Sequence, residues 1–145
     1  MNATTLLLLP LLTTAAGLQL AIALLNLFLV PLLNWKHDLM RMPLLLREVF
    51  RVHAWFISVT LGIFALMTWR FAVEMAGGGT PACRWLAGCI GSFWAVRTVL
   101  QVGYYSSSHW RGNLGRTMAH VGLLLIYGGF SFVYLWAAMG SEANK

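Results

Sequence analysis

The residues best suited to chemistry fall into three short groups. Arg47, Glu48, Arg51 and His53 form the densest cluster of ionisable side chains, and it opens straight into the apolar run Val52–Trp69. Arg97, Gln101 and Tyr104 follow at i, i+4 and i+7, a spacing that places them on one face of a helix. Arg116 and His120 make the third group, four residues apart. Polar groups at the mouth of an apolar helix, or inside it, are costly unless paired or hydrated. They therefore mark a functional position by default.

Guanidinium groups meet carboxylate and phosphate through paired hydrogen bonds. Arg47, Arg51, Arg97, Arg111 and Arg116 are opposed only by Asp38 and Glu48 in the same expected layer. That surplus points to an anionic headgroup on an apolar tail. Arg51 and Arg97 would hold the anion, His53 and Tyr104 would orient it, and Glu48 would fix an arginine. Gln101, Arg47, Arg116 and His120 complete the expected binding set.

The same residues admit other chemistry. His53 and His120, at matching expected depth, have the character of axial ligands to a b-type haem. Its propionates would meet Arg51, Arg97 and Arg116. A membrane enzyme acting on a lipid is a further reading, with His53 or His120 as general base. A plain structural role stands beside all three. In that case Arg97 pairs with Glu48 or reaches to the interface along its own stem, and both histidines satisfy neighbouring polar groups.

Several chemistries rank lower. Gly77-Gly78-Gly79-Thr80-Pro81 reads as a turn, because no Gly-Lys-Ser/Thr follows to make a phosphate loop. The serines at 106–108 beside His109 lack a nucleophile elbow. No HExxH zinc motif occurs. Cys83 and Cys89 lie six residues apart, about 9 Å along a helix axis, too far for a ready disulfide.

The elements that must position these groups follow from composition. Of 145 residues, 59% are hydrophobic and 10% charged. Soluble domains carry about 25% charged residues. The expected fold is all-α: an integral membrane bundle of four transmembrane helices, up-down, forming a single domain. The spans fall at about 13–33, 52–69, 85–102 and 118–139, joined on one side by charged loops 34–51 and 103–117. Pro31 lies near the end of the first span. Pro43 suits the first turn of a helix running into the second. A helix from Pro43 to Trp69 would outrun a core of roughly 30 Å. Ala87, Gly88, Gly91, Ser92 and Ala95 recur at three- and four-residue spacings, which favours close helix approach.

Orientation follows from the basic residues. Lys36, Arg41, Arg47, Arg51, Arg111 and Arg116 lie on one side, and Arg70, Arg84 and Lys145 on the other. The positive-inside rule then puts both termini on the non-cytoplasmic side, in a membrane of the bacterial inner type. The net charge of +6 is read as cytoplasmic loops meeting anionic lipid, with no nucleic acid as partner. The expected partners are membrane lipids, together with a larger membrane complex or further copies of the chain. Met40, Met42 and Leu44–Leu46, set among basic residues, suit an interfacial segment or a docking patch.

Overall fold

The computed structural model describes residues 3–104 and 114–140. These are folded into helices: α1 (Ala3–Leu27), α2 (Leu29–Leu32), α3 (Lys36–Arg41), α4 (Leu44–Ala76), α5 (Pro81–Gly103) and α6 (Leu114–Met139). Four of them, α1, α4, α5 and α6, are long and apolar enough to cross a membrane.

The long helices begin or end beyond the expected spans, for local reasons. α1 starts well before Thr13 and carries Pro10 in its interior. Proline removes one donor and crowds the carbonyl four residues back. The helix nevertheless runs through it, with Leu8 and Leu12 buried on either side. It stops at Leu27, and the segment expected to complete the span becomes the separate turn α2. Asn34 then takes a left-handed φ of 55° ahead of α3, a conformation asparagine tolerates better than most residues.

α4 spans 33 residues, about 50 Å at 1.5 Å per residue. It starts one residue after Pro43, whose carbonyl accepts from the Arg47 amide. At the other end it continues through Arg70 to Ala76, where a loop was expected. The glycines close it. The Gly79 amide reaches back to the Glu74 carbonyl at 2.7 Å, while Gly78 sits at φ 73°. This is the long bond of a Schellman stop, with glycine in the left-handed position. α5 begins at once: the Thr80 hydroxyl accepts from the Cys83 amide and Pro81 occupies the first turn, where a missing N–H costs least.

The chain divides into two compact units, Met1–Leu12 with Phe71–Lys145, and Thr13–Arg70. In the first, α5 and α6 pack antiparallel. Contacts pair Arg84 with Ala138, Trp94 with Phe130 and Tyr127, and Gln101 with His120, descending α6 as α5 ascends. Trp94 is buried at the centre, stacked on Tyr127 at 5.1 Å and tilted against Phe130 at 4.7 Å. Aromatic pairs of this kind contribute about 0.5–1.5 kcal/mol beyond area burial. Gly91 permits the close approach: a Cβ there would lie 2.9 Å from Leu135 Cγ and 3.0 Å from the Leu135 amide nitrogen.

In the second unit, Asn26 near the end of α1 ties to α4. Its Nδ2 donates to the Ala54 carbonyl at 2.8 Å and to Ser58 Oγ at 2.9 Å. Ser58 Oγ in turn donates to the Ala54 carbonyl. Thr60, Thr68 and Thr98 return their hydroxyls to the carbonyl four residues back, the usual way for such residues to sit within an apolar helix. Among the described residues, every buried side-chain nitrogen and oxygen has a partner.

Candidate functional site

The expected site residues separate into two groups, each within its own unit. The first belongs to the start of α4. Arg47 and Arg51 are one turn apart and therefore share a face. With Lys36 of α3, Glu48 and Asn26 they line a pocket of about 410 Å³. Its remaining wall is apolar, including Leu27, Val30, Leu39, Phe50 and Trp55. Three cations thus face one carboxylate inside a largely hydrophobic recess. Among the described residues, no hydrogen bond or ion pair engages the side chains of Lys36, Arg47, Glu48 or Arg51. The pocket therefore carries a surplus of two positive charges.

His53 does not join this pocket. It follows Arg51 by two residues, which turns it by about 200° around the helix. It lines a separate groove with Leu45, Val49, Val52, Phe56, Ile57 and Thr60, and only Glu48 borders both recesses. Orientation of an anion by His53 beside Arg51 therefore finds no support in the geometry.

The second group lies between α5 and α6. Arg97 Nη1 donates to Gln101 Oε1 at 2.9 Å, and Gln101 Nε2 lies 2.9 Å from His120 Nδ1. The guanidinium also sits over the Tyr127 ring, 4.9 Å from its centroid, within range of a cation–π attraction. Gln101 is buried, while Arg97 and His120 are half-buried. Arginine only donates, so the glutamine oxygen must face it and the amide NH₂ must face His120. The tautomer that matches this amide orientation accepts at Nδ1 and carries its proton on Nε2.

That assignment bears on metal binding. A histidine ligating through Nε2 normally carries its proton on Nδ1 and donates it to an acceptor behind it. Behind His120 stands a donor instead. Turning the amide to accept from Nδ1–H would aim its NH₂ at Arg97. The arrangement suits a polar clamp between two helices better than a haem ligand. Among the described residues, no three His, Cys, Asp or Glu side chains cluster as a metal site.

Tyr104 caps the end of α5, strongly exposed, its amide bonded to the Leu100 carbonyl. Arg116 lies in α6, but its side chain is outside the described part of the structure, as are Tyr105, Ser106, Ser107, Ser108, His109, Trp110 and Arg111. Sequence reasoning missed two polar ties. Asn26 and Ser58 belong to no motif in the sequence, yet they bond across helices. Arg84 read as a loop cation, yet its Nε donates to the Ala138 carbonyl near the end of α6. Neither pairing has a local signal, since the partners are 32 and 54 residues apart.

No protein family matches the sequence, and no curated protein or solved structure shows significant similarity to it.

Proposed function

We propose that this chain is an integral membrane protein that binds an anionic amphiphile, or the anionic headgroups of membrane lipid, in the pocket formed by α3 and the start of α4. The observation that carries this reading is the pairing of three cations, Lys36, Arg47 and Arg51, with apolar walls in one recess. Phosphate or carboxylate would sit on the guanidinium groups and the tail along Leu27, Val30 and Leu39. Glu48 offsets part of the charge.

Membrane insertion is supported by the outward faces of the helices. Leu7, Phe56, Leu66, Trp85, Val99 and Leu125 are all more than half exposed. Large apolar side chains exposed along every long helix belong in hydrocarbon and not in water. Leu44, Leu45 and Leu46 are exposed beside Arg47 and Arg51, a combination that suits the headgroup boundary. The positive-inside rule places this boundary on the cytoplasmic side, with both termini opposite.

The test is the lipid that accompanies the protein through gentle detergent extraction, read by native mass spectrometry. Wild type should retain anionic phospholipid over zwitterionic phospholipid, and the double substitution Arg47→Gln/Arg51→Gln should lose that preference while remaining folded. Equal retention of anionic lipid by wild type and variant would refute the pocket.

A further inference from the structure

A second recess lies wholly within the other unit, along the α5–α6 pair. It has a volume of about 950 Å³, within the range of ligand pockets of roughly 300–1,000 Å³. Its floor is made by small residues: Gly88 and Ser92 stand one turn apart, and a Cβ on Gly88 would meet only the Ala138 Cβ, at 3.7 Å. Trp85, Phe93 and Val96 form its sides.

An arginine stands towards each end. Arg84 and Arg97 are thirteen residues apart on α5, about 20 Å along the axis. The two are held differently. Arg84 spends its Nε on the Ala138 carbonyl and so ties down the end of α6. Arg97 is oriented by Gln101 and by the face of Tyr127.

From the apolar trough, its length and the oriented cation at one end, we propose that this groove is a binding site for a single-chain amphiphile with an oxyanion head. The head, carboxylate or monoalkyl phosphate, sits on Arg97. The alkyl chain lies over Gly88 and Ser92 and ends beside Trp85. This site does not rest on the pocket of α3 and α4, with which it shares no residue.

The full chain in neutral detergent should be photolabelled with a long-chain fatty acid bearing a diazirine near its methyl end. The matching monoalkyl phosphate and fatty alcohol serve as comparison probes. Labelled peptides should map to the Trp85–Cys89 stretch, and Arg97→Gln should cut the yield at least tenfold. The alcohol should label wild type only at the level the acid reaches in Arg97→Gln. The relative yields of acid and phosphate then identify the preferred head.

Because Arg97→Gln also disturbs the Gln101 contact, Ser92→Trp provides a second variant that fills the trough and leaves the cation in place. It should abolish labelling. Cys89, exposed in the groove, should be protected from maleimide by the acid in wild type and not in Ser92→Trp. Arg47→Gln/Arg51→Gln should label like wild type, which separates this site from the first. Labelling spread evenly over α1 and α4, equal labelling by the alcohol, or full labelling of Ser92→Trp would each overturn the proposal.

Discussion

Gln101 Nε2 stands 2.9 Å from His120 Nδ1, and its own oxygen is already held by Arg97 at the same distance. The three side chains therefore form a directed chain: guanidinium donor, amide relay, imidazole acceptor. Direction is imposed by arginine, which has no acceptor to offer. The matching tautomer carries the His120 ring proton on Nε2 and leaves Nδ1 to accept. Nitrogen NMR of protein labelled at histidine checks this. A protonated Nδ1 would sink the assignment. Gln101→Leu should release the constraint and cost about 1 kcal/mol of stability, the scale of interhelical hydrogen bonds in membranes.

The same chain governs the cofactor question. An Nε2 ligand to haem iron normally has an acceptor behind Nδ1, and Gln101 becomes one only by turning its NH₂ onto Arg97. Protein expressed with haem supplied should show a flat reduced-minus-oxidised spectrum. A Soret shift with a sharp α band that disappears in His120→Ala would show that the amide does turn.

Gly91 and Gly88 sit on the same helix and should respond oppositely to a methyl group. At Gly91 the added carbon meets Leu135 side chain and backbone at 2.9–3.0 Å; at Gly88 its nearest contact is 3.7 Å. Overpacking of this kind costs about 1–3 kcal/mol, against a helix-propensity gain of about 1 kcal/mol for alanine over glycine. Gly91→Ala should be destabilising and Gly88→Ala neutral or stabilising, as read by unfolding in mixed micelles. Equal behaviour of the two variants would contradict the close α5–α6 approach.

Asn26 and Ser58 offer a fourth test. Their hydrogen bond joins α1 to α4 beside the cationic pocket, and both also contact the Ala54 carbonyl. A double-mutant cycle with Asn26→Ala and Ser58→Ala should return a coupling of about 0.6 kcal/mol, and no more than about 1.7. A coupling of zero would mean the two side chains do not meet.

These residues also show where the sequence could be read and where it could not. The four apolar helices were legible because hydrophobicity alone marks a stretch long enough to cross a bilayer. Their ends were less so. Within an apolar chain the helix stops where backbone geometry closes it, and hydropathy does not register that point. α4 runs past Arg70 to a glycine stop for this reason. The Arg97–Gln101 pair was legible at i, i+4. Gln101–His120 and Asn26–Ser58 were not, since each depends on how two helices are rotated about their axes. The separation of His53 from Arg51 lay within reach, because two residues on a helix point nearly opposite ways. Their closeness in sequence obscured it.

The pocket on α4 carries the last prediction. Lys36, Arg47 and Arg51 line one largely apolar recess in which Glu48 is the lone carboxylate. Each basic residue near an anionic lipid surface contributes about 1 kcal/mol. Arg47→Gln/Arg51→Gln should then weaken binding to vesicles containing phosphatidylglycerol roughly thirtyfold. Glu48→Gln should strengthen it roughly fivefold, because it removes the opposing charge. Raising salt should erode both differences, since these groups lie within reach of screening ions. Titration of the purified chain against anionic and zwitterionic vesicles separates this electrostatic term from general lipid affinity. If the double variant lost affinity for zwitterionic vesicles to the same degree, the arginines would be holding the fold together, and the recess would no longer be an anion site.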